Sequence, residues 1–236
     1  MTAKEAAPLF VQALALGIEA EWRRCPPESR RQDLADLAAA ERAVAGEGVR
    51  SVTYSSIGLE PGVDLVLWRS ATTVDALERA AARLLRSGLG SWSVVRHSFL
   101  GRTAASQYAA KASDQESGLL TGVRADYLIV YPFTKSTDWY LLSREARQGV
   151  MNEHMRVGHG YPAVRQALAY SFGLDDNDFL VAYETDDLVA FGELVRELRG
   201  TDSRRSTVRD TPILLGVHRS IAEIGELLGV AGSPSR

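Results

Sequence analysis

The sequence predicts an α+β fold: an N-terminal helical extension followed by two tandem modules, each a sheet with helices on one face. Three observations lead there. Apolar residues keep helical spacing up to about residue 45, and from Val49 they change to strand-like runs. The strands are joined by tight turn signals, with helical stretches placed between them. Finally, residues 64–68 and the helix after them return as residues 178–183 and their helix, 114 residues later. Strand–helix–strand order repeated in this way describes two ferredoxin-like modules, whose sheets can pair into one larger sheet, a dimeric α+β barrel. The expected division is 1–122 for the helical extension plus the first module and 123–236 for the second.

The elements follow in chain order. Residues 1–45 read as helical, with Leu34, Leu37, Ala38 and Val44 on one face and Cys25-Pro26-Pro27 interrupting the segment before Glu28 restarts it. Val52-Thr53-Tyr54-Ser55-Ser56 and residues 63–68 read as strands around the turn Glu60-Pro61-Gly62. A helix from about Thr73 to Arg86 carries Leu77, Ala81, Leu84 and Leu85 on one face, and Gly88 and Gly90 end it. Residues 91–100 and 127–131 read as strands, separated by a polar stretch from about Arg102 to Arg124, a length typical of loops that cover a site. In the second module the helix with Leu188, Phe191, Leu194, Val195 and Leu198 sets Phe191 against Leu77 and Leu198 against Leu84 in the same register. Asp186-Asp187 suits the positive end of that helix.

Composition narrows the function classes. The chain has 236 residues, 45% hydrophobic and 24% charged, as in globular proteins with a sizeable core. A net charge of -3 and no clustered basic surface argue against a nucleic-acid partner, Arg204-Arg205 reading as a solvated pair. Cys25 is the single cysteine, which excludes an internal disulfide and a cysteine-cluster metal site and fits a reducing cytoplasm. The N-terminus lacks a signal-peptide pattern, and the apolar stretch 8–17 is too short for a membrane span, so no membrane association is expected.

The chemistry-bearing residues gather around Tyr131-Pro132-Phe133-Thr134-Lys135 and Trp139, with His154 23 residues after the tyrosine. An oxidisable phenol, a cation, an indole and an imidazole suit one-electron chemistry beside a metal or redox cofactor. Tyr131 is expected to end a strand, with Pro132 redirecting the chain so that Lys135 turns into the same space. Each residue also has a plain packing role open to it: Tyr131 and Trp139 as core aromatics, His154 as a surface histidine on a polar helix ending near Gly158. His159 stands five residues on, so it does not share a helical face with His154 and no zinc pair arises. His97 and His218 read as strand or loop histidines. Asp175-Asp176-Asn177-Asp178 lacks the glycine and glutamate of a calcium loop and reads as a turn. There is no GxGxxG, Walker or GxSxG motif.

Together, Tyr131-Pro132-Phe133-x-Lys135, Trp139-Tyr140-Leu141-Leu142, Glu153-His154 and Gly173-Leu174-Asp175-Asp176-x-Asp178-Phe179 resemble the chlorite dismutase superfamily, which includes the coproheme decarboxylases. Glu21-Trp22-Arg23-Arg24, Leu65-Val66-Leu67-Trp68, Ser98-Phe99-Leu100-Gly101 and Leu198-Arg199-Gly200-Thr201 extend the resemblance over nearly the whole chain. It implies tandem ferredoxin-like domains assembled as a homopentamer, with haem (coproheme or haem b, iron) in the C-terminal half. By the same resemblance His154 is the proximal iron ligand, Tyr131 the radical tyrosine of the decarboxylases, and Lys135 the basic residue beside the reacting propionate. Trp139 matches a tryptophan of the site and Arg199 an arginine near a propionate. Gln166 falls where chlorite dismutases carry a distal arginine and some decarboxylases a glutamine. The region near Asp114 lacks the distal histidine of some decarboxylases.

The resemblance implies peroxide-dependent oxidative decarboxylation of coproheme to haem b, with coproheme and hydrogen peroxide as substrates. The first alternative is a haem b enzyme acting on a separate small oxidant such as chlorite, and the second is a non-enzymatic haem-binding protein. A neutral amide at Gln166 cannot supply the fixed positive charge that would hold an anionic oxidant.

Overall fold

The computed structural model describes residues 8–104, 119 and 122–230. The polar stretch expected to cover a site, including Asp114, lies largely outside the described residues, as does the N-terminus read for targeting signals. The chain forms two compact units. One reaches to Arg102 and resumes at Gly216; the other runs from Thr103 to Leu215.

The first unit is built from β1 (Phe10–Ile18), α1 (Pro27–Gly46), β2 (Arg50–Glu60), β3 (Val63–Ala71), α2 (Val74–Leu85) and β4 (Ser93–Arg102). Its strands lie antiparallel in the order β4-β1-β3-β2. β1 corrects the sequence reading, which made the first 45 residues a helical extension. Only α1 is a long helix there, and residues 10–18 form a central strand. Ala and Leu favour helices, but the intrinsic preference among ordinary residues is only a few tenths of a kcal/mol, up to about 0.7. Ladders to β3 on one side and β4 on the other, with Val11, Ala13, Leu14, Ala15, Leu16 and Ile18 all buried, outweigh it. α1 begins as the sequence suggests, with Pro27 in its first turn, where a missing N–H costs nothing.

The β2–β3 hairpin turns at Gly62, whose φ of 75° needs a residue without Cβ. Thr73 caps α2, its hydroxyl accepting from the Ala76 N–H at 3.2 Å. Leu77, Ala80 and Leu84 of α2 then pack with Leu14, Leu16, Leu65 and Leu67 from the sheet and Leu34 and Leu37 from α1.

The second unit holds β5 (Tyr127–Lys135), α3 (Thr137–Leu141), α4 (Arg144–His159), β6 (Arg165–Tyr170), β7 (Phe179–Thr185), α5 (Leu188–Arg199), a turn of 3-10 helix (Asp202–Ser206) and β8 (Thr207–Arg209). β5 lies between β7 and β8, and β6 flanks β7, all antiparallel. Numbered from each unit's own first strand, both sheets have the order 4-1-3-2, and in both a helix follows the third strand. The repeat read from the sequence is therefore a repeat of topology. Phe191 and Leu198 pack on the second core as Leu77 and Leu84 do within the first. Asp187 caps α5 through Val189 and Ala190 N–H at 2.9 and 3.0 Å.

Pro132 does not end β5. The strand continues through it to Lys135, pairing Pro132 with Leu180 and Phe133 with Phe179. The chain's tail departs from the expected division. β9 (Leu214–His218) pairs Val217 and His218 with Ser55 and Tyr54. α6 (Ile221–Leu227) opens with a capping box of Ser220 and Glu223. Ile224, Leu228 and Val230 join the core of the first unit because they fill space beside Leu34 and α1. Among the described residues, no helix is long and apolar enough to cross a membrane.

Candidate functional site

Strand alternation places Ile129, Tyr131, Phe133 and Lys135 on one face of β5. Four residues of strand separate the α-carbons of Tyr131 and Lys135 by about 13 Å. Lys135 reaches Tyr131's face by the period of the strand and not by the turn at Pro132 that the sequence suggested. Its ammonium lies 5.2 Å from the Phe133 ring centre and 4.5 Å from that of Trp139, and donates to the Ser203 carbonyl at 2.9 Å. Trp139 is buried on α3. Burial, then the nearby Arg204 guanidinium, brings the Lys135 pKa down to about 8, while the two aromatic faces help hold the cation.

Asp178 fixes this end of the strand. One carboxylate oxygen accepts from the Lys135 backbone N–H and from the Tyr140 hydroxyl, each at 2.7 Å. The Asp178 N–H in turn donates to the Phe133 carbonyl at 3.1 Å. The acidic run 175–178 thus forms the expected turn and also clamps β5, a role that its spacing did not reveal. Gly173, with φ 70°, lets the chain double back before it.

His154 stands on α4, whose first turn is capped by Ser143. It lies three residues before Val157, which faces the core, so the imidazole turns inward with it. Its Nδ1 is 3.1 Å from the Ser203 hydroxyl oxygen. Burial, then the Lys135 charge, brings its pKa down to about 4, so the ring is neutral at pH 7. Ser203, which sequence reasoning missed, thus ties Lys135 to His154: its carbonyl takes the ammonium and its hydroxyl meets the imidazole. The signal for it was slight, a run of small hydroxyl residues just past a helix end.

Tyr131 belongs to a second group on the same face. Its ring is stacked on that of Tyr183, with centres 6.1 Å apart. Burial, then Tyr183, holds its phenol well above the usual range, while Arg199 pulls the other way. Tyr183 is buried and its phenol is also raised, chiefly by desolvation. Arg199 itself is exposed, at the last turn of α5. The strand registers align Gln166, Tyr183 and Ile129 in one row and Leu168, Val181 and Tyr131 in the next. Gln166 therefore shares the face of Tyr183, and among the described residues its amide has no hydrogen-bond partner.

All six sequence-derived candidates lie in the second unit. Lys135 and His154 meet at Ser203, with Trp139 against the Lys135 ammonium; Tyr131 and Gln166 lie beside Tyr183, and the Arg199 charge acts on Tyr131. Of the other histidines, His97 is stacked on Phe99 and His218 lies beside Tyr54, both within the first unit, and His159 ends α4. Among the described residues, no three His, Cys, Asp or Glu side chains cluster as a metal cage.

The chain is similar to known proteins in both sequence and fold. The family model described as Chlorite dismutase matches residues 29–219. A coproheme decarboxylase of Mycolicibacterium smegmatis is 32% identical over 177 residues, 72% of this chain and 74% of that protein. A chlorite dismutase of Ideonella dechloratans is 28% identical over 219 residues, 85% of this chain and 77% of the other. Among solved structures, chlorite dismutase from Candidatus Nitrospira defluvii in complex with imidazole superposes with a TM-score of 0.85 at 27% identity, covering 95% of this chain and 96% of that one.

Proposed function

The chain belongs to the chlorite dismutase family, and from that premise we propose that it is a haem-dependent oxidoreductase converting coproheme to haem b by peroxide-dependent oxidative decarboxylation. The observation that carries the reading is the state of His154: a neutral imidazole, engaged at Nδ1 by Ser203, with Nε2 left for a metal. Such a group suits a single axial ligand to porphyrin iron. The aromatic face of Tyr131, Phe133 and Tyr183 in the same unit suits a flat apolar macrocycle.

The bound iron porphyrin, with hydrogen peroxide, supplies the oxidising equivalents: one propionate and one peroxide yield a vinyl group, carbon dioxide and two waters. Tyr131 is the residue that gives up a hydrogen atom and regains one from the propionate. Its phenol, held protonated by burial and by Tyr183, loses electron and proton together. Lys135 spends one of its three N–H donors on Ser203 and keeps two for a propionate carboxylate. Arg199 supplies a guanidinium near Tyr131 for the same kind of carboxylate. Trp139 walls the site and holds the Lys135 cation. Gln166 offers a neutral hydrogen-bonding amide where peroxide, itself neutral, is the oxidant.

The test is incubation of the purified protein with coproheme and peroxide, followed by mass measurement of the porphyrin. Loss of two carboxyl groups as carbon dioxide is the expected result, and an unchanged mass would reject the reading.

A second reading, a haem b enzyme that degrades chlorite, is favoured by the likeness to chlorite dismutases in sequence and structure. Oxygen release from chlorite would support it. The neutral Gln166 speaks against it, since nothing at that position provides the charge to hold an anion. A haem-binding role without catalysis is the third reading, and porphyrin binding with neither decarboxylated product nor oxygen release from chlorite would favour it.

Three structural expectations go with the main proposal. The two units are ferredoxin-like repeats pairing as a dimeric α+β barrel, five copies assemble as a ring, and the protein works in the cytoplasm, where the free Cys25 stays reduced.

A further inference from the structure

His154 Nδ1 and Ser203 Oγ are 3.1 Å apart, and taken alone that pair does not say which of them donates. The neighbouring hydroxyls do. Thr201 has one hydroxyl proton and gives it to the Leu198 carbonyl at 2.7 Å. Its oxygen is also 2.9 Å from Ser203 Oγ, and with its own proton committed it can only accept there. Ser203 is therefore the donor to Thr201. That uses the one proton of Ser203, so its oxygen accepts from the imidazole, which must carry its hydrogen on Nδ1.

We infer that Ser203 and Thr201 are positioning residues forming a one-way hydroxyl relay, from His154 through Ser203 and Thr201 to the Leu198 carbonyl, that selects the Nδ1–H tautomer of His154 and presents the Nε2 lone pair to iron. The inference rests on the proposed axial role of His154 only for its last clause. Both hydroxyl residues are buried, Thr201 at 6% and Ser203 at 5% exposure, so water does not compete for their protons. The relay ends in the last turn of α5, at the Leu198 carbonyl, which also accepts from the Thr201 N–H at 3.2 Å; the negative pole of the helix at this end favours each bond in the series. Ser203 is itself held in place, its carbonyl accepting from Lys135 Nζ at 2.9 Å and from the Thr207 hydroxyl at 3.4 Å. Every member of the relay is neutral, so the imidazole is oriented without being pulled toward imidazolate as a carboxylate partner would do.

The test has two arms. In the first, long-range proton–nitrogen correlation on the full-length protein without porphyrin reads the tautomer of each of the four histidines at pH 7, with His154→Gln identifying the signal. His154 should be Nδ1–H in the wild type and in Ser203→Thr, and should become a tautomer mixture in Ser203→Ala and in Thr201→Val, which preserves the shape of the threonine. In the second arm the protein is loaded with hemin and reduced, and the iron–histidine stretch is followed by resonance Raman. The band should shift in Ser203→Ala and Thr201→Val and recover in Ser203→Thr. Hemin affinity should fall by about tenfold or more when the hydroxyl is removed. A wild-type Nε2–H tautomer overturns the relay, as does an iron–histidine band that neither variant moves. If no iron–histidine band appears in the wild type while the tautomer responds as stated, the relay stands and it is the axial role of His154 that fails.

Discussion

Tyr131 and Tyr183 stack across adjacent strands with ring centres 6.1 Å apart at 30°. The pair sits in the core face of the second unit, where burial keeps both phenols protonated. An oxidation at Tyr131 must then move a proton together with the electron, and Tyr183 is the hydroxyl beside it.

Tyr131→Phe should bind coproheme as the wild type does and form no decarboxylated product, checked by absorbance titration and porphyrin mass. Unreduced product formation would remove Tyr131 from the chemistry. Tyr183→Phe keeps the stacked ring and removes only the hydroxyl beside Tyr131. It should stay within about 1 kcal/mol of the wild type in a denaturant melt and slow product formation without abolishing it.

Lys135→Met should change how stability depends on alkaline pH. The folded pKa of about 8 lies below the usual 10.5, so between them the unfolded chain binds more protons than the folded one. The wild type should therefore gain stability as pH rises from about 8 towards 10.5, and Lys135→Met should lack that gain. Thermal melts of both proteins across this window provide the check.

His154 imposes the corresponding dependence on the acid side. Its folded pKa of about 4 lies below the ordinary 6.5, so its contribution is complete above 6.5 and is lost as pH falls towards 4. Melts of the porphyrin-free protein should show this loss, and His154→Gln should show a smaller one over the same window. Equal slopes would mean that the imidazole is not held neutral by its surroundings.

Asp178→Ala should loosen the end of β5 that carries Lys135. Two charge-assisted hydrogen bonds are lost, from the Lys135 backbone and from Tyr140, at about 2 kcal/mol or more in total. Asp178→Asn, which keeps an oxygen acceptor, should fall between it and the wild type. Chemical denaturation measures the cost, and coproheme titration shows whether Lys135 has been displaced.

Where pattern and burial coincide, the sequence was a good guide to the fold. The β2–β3 hairpin, α2 with Leu77 and Leu84, and α5 with its Asp187 cap all follow from local periodicity and turn chemistry. It misled at residues 10–18, because a short apolar run rich in Ala and Leu has no period that separates a buried strand from a helix. It also misplaced the tail, since nothing local in α6 says that Ile224 fills a core begun some 200 residues earlier. At the candidate site, the residue types that stand out chemically were legible: Tyr131, Lys135, Trp139, His154, Gln166 and Arg199. The residues that arrange them, Ser203, Thr201, Tyr183 and Asp178, are ordinary types in ordinary places.

The sequence by itself determined the repeat, the family and the list of reactive side chains, because periodicity, motif order and functional groups are all written along the chain. Only the tertiary structure decided that Lys135 is engaged by Ser203, that Tyr131 is stacked on Tyr183, and that His154 is neutral with Nδ1 taken. Those are properties of burial and of hydrogen bonds between residues up to 68 positions apart, and such contacts exist only once the sheet and its helices have closed on each other.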